Sequence, residues 1–299
     1  MTELDRALEV LGNGGLVAIP TETVYGLAAD ADNEIAVRRI FAVKGRPADH
    51  PLIIHLASAS QVDAWSSAPP MTARVLADAC WPGPLTVLVP RAERVLTVVT
   101  GGRPTVGLRV PAHPLSLELL RRFSGGLAAP SANRFGRVSP TTAAHVVADL
   151  GGDVDFVLDG GPCPVGVEST IVDCTTHPPQ VLRPGAITAE QIDALLGEPP
   201  GAPGGVSRAP GMLDSHYAPA CRVVLTDDVD AARKLAGQLS APVLGDSVDL
   251  VTYARNLYQW LRDADRRGDA AVVAVLPPAA GLGHAIRDRL VKASGGRSG

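Results

Sequence analysis

A segment rich in Gly and Pro divides this chain of 299 residues into two parts with different patterns. Between Gly197 and Gly211, nine of the fifteen residues are Gly or Pro. Such a run disfavours a core helix or strand, because Gly loses much conformational entropy on ordering and Pro lacks a backbone N–H. We therefore expect a linker or covering loop at 197–220, a larger domain at 1–196 and a smaller domain at 221–299.

The larger part interleaves short apolar runs with helical patterns in an irregular order. Capping-box patterns at Thr2 and Asp5 and at Thr188 and Gln191 mark two helix starts, and another helix is expected from Asn33. The irregular order predicts an α/β fold with a twisted, mixed sheet rather than a strict βαβ repeat. The expected strands are 16–20, 51–56, 85–90, 105–110, 126–130, 155–159, 169–173 and 180–184. The further expected helices are 71–80, 114–123, 141–149 and 188–196.

The smaller part alternates strands and helices regularly. This order is typical of a small parallel sheet of the Rossmann-like kind, in which each helix carries the chain back to the start of the next strand. The expected strands are 222–226, 242–245 and 272–276, and the expected helices are 228–239, 249–264 and 283–293.

Charge and cysteine usage exclude several classes of protein. Residues 1–200 hold 15 basic and 21 acidic side chains, a net charge of −6, whereas 201–299 carry a net +2. Phosphate contacts need a cationic surface, so we expect no direct, stable nucleic-acid binding. The four cysteines form no C-x-x-C pair, and neither a signal peptide nor an apolar run of about 18 residues is seen. We expect a cytoplasmic protein without a membrane partner.

Polar clusters follow several of the apolar runs, although the standard phosphate-binding loops and the G-x-S-x-G elbow are absent from the sequence. Hydroxyls and a Tyr crowd the stretch 20–26, and Lys44 and Arg46 stand one residue apart after a helix. Those two cations could hold phosphate or complement the helix dipole. Arg109 lies in an apolar strand, and a buried guanidinium needs an anionic partner, either internal or a ligand.

Ten motifs occur in a fixed order along the chain: PTETVYGL, KGR, HPLIIHL, WPGPLT, TVGLRVPAHP, AAPSAN, SPT, DGG, GVESTI and LRPG. Each alone could be ordinary turn or cap chemistry. Together they resemble the YrdC-like family of threonylcarbamoyl-AMP synthases. The linker motif at 209–219 and tail motifs around Asn256, Ala285 and Lys292 resemble the longer, two-domain form. The resemblance covers essentially the whole chain.

The resemblance implies an enzyme that condenses L-threonine, bicarbonate and ATP into threonylcarbamoyl-adenylate and releases pyrophosphate. It implies Mg²⁺ bound with ATP rather than by protein side chains, and a product passed to a separate complex that modifies tRNA. A lid formed by 197–219 would exclude water from the unstable intermediates.

The resemblance also assigns roles to residues by motif position. Lys44 and Arg46 would be the catalytic cations facing the phosphates, and His50 stands where the family favours Asn. The residues expected to bind L-threonine are Thr23, His55, Arg109, Ala129 and Ser169. The residues expected to bind ATP are Arg46, His50, Thr105, Ser131, Asn133, Ser139, Arg183 and Tyr217.

Three other functions compete with this interpretation. One is a carbamoyltransferase of the same superfamily, which the linker motif at 209–219 disfavours. Another is a non-catalytic RNA-binding module, which the net charge of −6 over 1–200 disfavours. The last is a nucleotide-binding paralogue without activity, against which the retained cations at Lys44, Arg46 and Arg183 argue.

Overall fold

The computed structural model describes residues 1–201, 204, 209, 210 and 217–295. In those ranges the helices are α1 Glu3–Gly12, α2 Glu34–Lys44, α3 Val62–Trp65, α4 Met71–Cys80, α5 Thr97–Thr100, α6 Pro114–Phe123, α7 Ala143–Leu150, α8 Ala189–Leu196, α9 Val229–Leu239, α10 Leu250–Arg267 and α11 Leu282–Ala293. The strands are β1 Val17–Ile19, β2 Gly26–Asp30, β3 Ile53–His55, β4 Leu85–Pro90, β5 Thr105–Arg109, β6 Leu127–Ala128, β7 Phe156–Val157, β8 Thr170–Asp173, β9 Gln180–Arg183, β10 Arg222–Thr226, β11 Val243–Leu244 and β12 Ala271–Val275.

Nine strands form one mixed sheet in the order β7-β1-β2-β6-β3-β5-β4-β8-β9. Strand β3 runs parallel to β5, and β4 runs parallel to β8, whereas β4 and β5 are antiparallel. The predicted mixed α/β sheet is therefore confirmed. Strands β1, β3 and β4 are buried on both faces, since nearly every residue along each of them is buried.

Among the strands of the described residues, β2 is the one that the sequence pattern does not predict. It pairs with β1 in antiparallel fashion and with β6 on its other side. Its sequence, GLAAD, follows the polar stretch 20–25 and contains only one large apolar residue, so no strand pattern is visible. The pairing nevertheless brings the turn at 20–25 beside the ends of β3 and β6.

The smaller sheet has the order β10-β12-β11, with both pairs parallel. This confirms the small parallel-sheet fold predicted for the C-terminal part. Helix α10 is amphipathic over 18 residues, and its apolar face includes Tyr253, Leu257, Tyr258 and Leu261. The exact domain boundaries stay a prediction.

Two predicted capping boxes set helix starts as expected. The Thr2 hydroxyl accepts from Asp5 N at 3.1 Å, and Thr2 N donates to Asp5 Oδ2 at 2.8 Å at the start of α1. Thr188 and Gln191 form the same reciprocal pair at α8. These contacts satisfy backbone N–H groups that have no partner within the helix.

The two sheets share a buried interface. One apolar cluster joins Val24, Val138, Val167 and Tyr217 to the core around α10 and α11. Arg262 of α10 adds a largely buried ion pair to Asp149 of α7, with Nη2 2.7 Å from the carboxylate. The C-terminal part therefore packs directly against the residues that follow the polar turns of the larger sheet.

The structure also shows the state of the cysteines and how the side chains that could bind a metal are distributed. All four cysteines are free thiols, and three of them are buried. Within the described ranges, no three His, Cys, Asp or Glu side chains cluster as metal ligands would. Over the same ranges, no helix has the length and apolar character to cross a membrane.

Candidate active site

Polar and charged side chains of the larger part and of the segment between the two sheets converge on a small cavity of about 50 Å³. Its walls come from the turn after β1, the ends of β3, β5 and β9, and the segment between the two sheets. The lining residues are Thr21, Thr23, Val24, Gly26, Arg46, Ile53, His55, Arg109, Ala129, Pro130, Ser131, Glu168, Ser169, Arg183, Pro210 and Tyr217.

Arg109 is the cation at the end of β5, and it is nearly fully buried. Its Nη2 donates to the Thr23 hydroxyl at 2.9 Å and lies 2.8 Å from Glu22 Oε1. Its Nε donates to Gly83 O at 3.3 Å. The guanidinium is therefore held in one orientation by three groups and already has an internal anionic partner.

The turn at 21–24 presents two hydroxyls to the cavity. The Thr21 hydroxyl donates to Val24 O at 2.6 Å and lies 2.8 Å from the Thr23 hydroxyl. These short-range bonds replace regular backbone pairing in the turn. They leave Thr23 between Thr21 and Arg109, in a fixed and buried position.

His55 ends β3 directly opposite Arg109 of β5. Burial, assisted by the nearby positive charge of Arg109, lowers the pKa of His55 to about 3. The imidazole is therefore neutral at pH 7. Among the described residues, its buried Nδ1 has no hydrogen-bond partner.

Arg46 stands immediately after α2, where Gly45 adopts a left-handed conformation and ends the helix. Its Nη2 donates to Pro51 O at 2.9 Å, and its guanidinium lies 5.6 Å from the Phe135 ring centre. Burial lowers the pKa of Arg46 to about 10, so it remains charged at neutral pH. It supplies a fixed positive charge on one side of the cavity.

Arg183 supplies a second positive charge from the end of β9. It donates from Nε to Ser169 O at 2.9 Å and from Nη2 to Ser169 Oγ at 3.0 Å. Ser169 Oγ also lies 2.8 Å from the Thr86 hydroxyl. Burial lowers the pKa of Arg183 from its ordinary value. Arg46 and Arg183 thus give the cavity two buried cations, which suit a polyanion.

Tyr217 closes the cavity from the segment between the two sheets. Its backbone adopts a φ of 63°, a left-handed conformation that is uncommon for a Tyr. Burial raises the pKa of its phenol to about 12, so it stays protonated. Its ring stacks on Tyr258 at 5.8 Å, with the Arg289 guanidinium 5.3 Å from its centre.

A family model described as telomere recombination, for Sua5, YciO and YrdC proteins, matches residues 9–185. A second, described as the threonylcarbamoyl-AMP synthase C-terminal domain, matches residues 187–295. The chain belongs to the Sua5/YciO/YrdC family. The second match places it with the two-domain members that carry the additional C-terminal domain.

Similar proteins support this assignment along the whole chain. The threonylcarbamoyl-AMP synthase of Pyrococcus abyssi is 43% identical, covering 95% of this chain and 92% of that protein. The synthase of Bacillus subtilis is 39% identical, covering 99% and 94%. A crystal structure of P. abyssi Sua5 complexed with L-threonine matches with a TM-score of 0.92 at 41% identity, covering 99% of this chain and 95% of that one.

The structure brings most of the residues assigned from the family motifs to this cavity. Those that line it are Thr23, Arg46, His55, Arg109, Ala129, Ser131, Ser169, Arg183 and Tyr217. Their roles toward L-threonine and ATP stay predictions. The arrangement places His55, Thr23 and Arg109 close together, with Arg46 and Arg183 among the other lining residues.

Lys44 is not among the lining residues. It is buried behind the wall, and its ammonium donates to the carbonyl oxygens of Ser131 and Asn133. Burial and the nearby Arg46 shift the pKa of Lys44 well below its ordinary value. Lys44 therefore anchors the loop that presents Ser131, and its role toward the phosphates stays a prediction.

Four other residues assigned to ATP are likewise not among the lining residues. His50 holds Arg46 through its backbone carbonyl, at 3.3 Å from Nε, and its ring packs edge-on to Phe135. Ser139 donates to Glu168 Oε1 at 2.6 Å. Asn133 donates to Arg134 O and Arg137 O, which shapes the turn after Ser131. Thr105 begins β5, at the opposite end from Arg109.

Several residues that build this site carry no role that the sequence motifs assign. Thr21 and Glu22 were visible as neighbours of Thr23, and Glu168 as a neighbour of Ser169. Tyr258 lies in the tail motif around Asn256, to which no site role is attached. For Arg289 no signal was available, because it is one of many arginines in a helical pattern.

Proposed function

We propose that this protein is a threonylcarbamoyl-AMP synthase, which makes threonylcarbamoyl-adenylate and pyrophosphate from L-threonine, bicarbonate and ATP. The observation that carries the proposal is one cavity in which an oriented guanidinium and a neutral His lie beside two further buried cations. An amino acid with a hydroxyl matches the first pair, and a triphosphate matches the second. The full-length relatives described above bear the same name.

L-Threonine would bind at the end of β5. Its carboxylate would meet Arg109, since Nη2 and Nε of that guanidinium are engaged by the protein, whereas Nη1 has no hydrogen bond to the part of the chain that the structure describes. Its hydroxyl would donate to the neutral ring of His55 or exchange hydrogen bonds with Thr23. The P. abyssi relative in complex with L-threonine supports an amino-acid site in this fold.

ATP would bind with its phosphates between Arg46 and Arg183. Mg²⁺ would enter as part of the nucleotide substrate. Glu168 is the one carboxylate among the described residues that line the cavity, and its oxygens are engaged by Ser139, Tyr258 and Arg289. The metal would therefore be held through phosphate oxygens and water.

The chemistry would proceed chiefly by positioning. The threonine amine combines with bicarbonate to give a carbamate and water. A carbamate oxygen then attacks the α-phosphate, the bond to the β-phosphate breaks, and pyrophosphate leaves. Arg46 and Arg183 would stabilise the charge that moves onto the leaving group. No general base is assigned.

The segment that contains Pro210 and Tyr217 would open for the substrates to enter. Ligand pockets usually hold roughly 300–1,000 Å³, far more than the about 50 Å³ enclosed here. Of the predicted lid, residues 202, 203, 205–208 and 211–216 lie outside the described residues. Closure would protect the carbamate and the mixed anhydride from water.

The product would pass to a tRNA-modifying complex, with the synthase in the cytoplasm.

The test is pyrophosphate release by the purified full chain with ATP, Mg²⁺ and bicarbonate, with and without L-threonine. Mass spectrometry of the products would identify threonylcarbamoyl-adenylate. We expect release that depends on threonine and on bicarbonate and is much weaker with L-serine. Release that ignores threonine, or none at all, would refute the proposal.

A further inference from the structure

We propose that Arg289 and Tyr258, from the two last helices, are positioning residues for the nucleotide half of the site. Both act through Glu168 and Tyr217, which line the cavity. The inference rests on the proposed function and deepens it, because it gives the C-terminal part a role in binding the nucleotide.

Glu168 belongs to the larger part and accepts hydrogen bonds from side chains of the C-terminal part. Its Oε2 accepts from Arg289 Nε at 2.8 Å and from the Tyr258 hydroxyl at 2.8 Å. Its Oε1 accepts from Ser139 Oγ at 2.6 Å. Burial alone would raise the pKa of Glu168, but the charges of Arg289 and Arg183 lower it to about 2. The carboxylate is therefore ionised and fixed in place.

Arg289 is the partner that balances this buried charge. Its side chain is fully buried, and it also donates to Pro184 O and Asp288 Oδ2. Pro184 follows Arg183 directly. Arg289 therefore holds the Glu168 carboxylate and also the backbone next to Arg183, the residue predicted to bind the phosphates. Without Arg289, the Glu168 carboxylate would form an ion pair with the Arg183 guanidinium and draw that guanidinium away from the phosphates.

Tyr217 is held by the same two residues through its ring. Tyr258 stacks on it at 5.8 Å with an angle of 29° between the planes, and the Arg289 guanidinium lies 5.3 Å from its centre. Aromatic stacking and cation–π contacts fix a ring in both position and tilt. The wall of the cavity that Tyr217 forms is therefore set by side chains of the C-terminal part.

A positioning role predicts a specific kinetic pattern. The KM for ATP rises when Arg289 or Tyr258 is altered, whereas the KM for L-threonine changes little. The reason is that Arg109 and His55 take their contacts from β3, β5, the turn at 21–24 and Gly83, all in the larger part. A purely structural role would lower the melting temperature and affect both substrates alike.

The experiment compares four variants of the full chain. Tyr258→Phe keeps the stack on Tyr217 and removes the hydroxyl bond to Glu168. Arg289→Gln removes the charge, and Arg289→Lys restores it without the planar fork. Arg255→Gln is the matched control, because Arg255 lies on the same helix as Tyr258 and bridges to Pro164 O, away from the cavity.

We expect the KM for ATP to rise about threefold or more for Tyr258→Phe and about tenfold or more for Arg289→Gln, since bonds to charged groups are among the stronger ones. Arg289→Lys should recover part of the loss, and Arg255→Gln should match the unaltered chain. If Arg289→Gln does not fold, the KM for ATP of Tyr258→Phe and Arg289→Lys decides whether the inference holds. An unchanged KM for ATP in the folded variants, or an equal rise for threonine, would overturn the inference.

Calorimetric binding of MgATP without threonine separates this inference from the proposed function. If the unaltered chain releases no pyrophosphate yet binds MgATP, the proposed reaction fails while the variants still test the positioning. Weaker MgATP binding by Arg289→Gln and Tyr258→Phe would then support it. Equal MgATP binding by those variants and the unaltered chain would overturn it.

Discussion

Arg109 Nη2 lies 2.8 Å from Glu22 Oε1, and the two side chains are only 5% and 9% exposed. Glu22 Oε2 also accepts from Ala112 N at 3.1 Å, just beyond the end of β5. The buried guanidinium thus has an internal counter-charge, and its charge and orientation are set before any ligand arrives. A threonine carboxylate would join an ion pair that already exists rather than meet an uncompensated cation.

Replacing Arg109 by Lys tests this arrangement. A single ammonium cannot reach Gly83 O, Thr23 and Glu22 together and still present a donor to a ligand. We expect the KM for L-threonine to rise about tenfold or more, with a smaller change for ATP. Steady-state pyrophosphate release measures both constants. Arg121→Lys, an exposed change on α6, is the control, and an unaltered KM for threonine would contradict the assignment.

Lys44 separates an anchoring role from a phosphate-binding role. Lys44→Met removes the buried donor to both carbonyl oxygens, so that Asn133 O loses its side-chain partner and Ser131 O keeps only the bond from Asn133 N at 3.1 Å. The expected cost is about 2 kcal/mol or more in the free energy of unfolding, since each buried unpaired group costs roughly 1–3 kcal/mol. Urea unfolding measures it, with the exposed Lys234→Met as control. A variant as stable as the unaltered chain, but with weaker ATP binding, would favour the phosphate role instead.

Much of the fold was predictable because its patterns are local. The C-terminal sheet follows from regular alternation of apolar runs and helices. In the larger sheet, β1, β3, β4 and β5 are short apolar runs bounded by turn residues. Strand β2 escaped prediction because Gly, Ala and Asp carry almost no strand signal, and long-range pairing with β1 and β6 decides its conformation.

Only those residues of the site that stand in a recognisable sequence motif or in an apolar strand could be predicted. Arg109 and His55 stood out as polar residues within apolar strands, and the family motifs added Arg46, Arg183 and Tyr217. The contacts between sheets were not predictable. Arg289 meets Glu168 across 121 positions of sequence, and nothing local distinguishes a buried Arg on a helix from the exposed ones.

Tyr217 allows the ring contacts to be tested apart from the hydroxyl. Tyr217→Phe keeps the stack on Tyr258 and the contact with Arg289, whereas Tyr217→Ala loses both. Phe and Ala must both adopt the left-handed backbone conformation of Tyr217, so backbone strain does not distinguish the two variants. We expect the KM for ATP to rise less than about threefold for Phe and about tenfold or more for Ala. Tyr253→Phe, within the C-terminal core, should leave this constant unchanged. Similar losses for Phe and Ala would show that the hydroxyl dominates.

The stability of the protein should fall as the pH drops below about 6.5, and His55 should account for a distinct part of the loss. In the unfolded chain a His titrates near pH 6.5, whereas burial and Arg109 lower the pKa of His55 to about 3 in the folded chain. Between these values the unfolded chain binds more protons, so folding becomes less favourable as the pH falls. The slope for one such group is about 1.4 kcal/mol per pH unit.

Urea unfolding at pH 6.5, 6.0, 5.5 and 5.0 measures that slope, in a range above the ordinary titration of carboxylates. His55→Gln cannot titrate, so its free energy of unfolding should fall less steeply than that of the unaltered chain, by up to about 1.4 kcal/mol per unit near pH 5. His145, half-buried and with its pKa lowered to about 4 by burial and Arg262, should behave similarly. His177→Gln, on an exposed loop, is the control. Parallel slopes for His55→Gln and the unaltered chain would mean that the folded protein accommodates a charged His55, and the neutral ring assigned to the threonine hydroxyl would have to be abandoned.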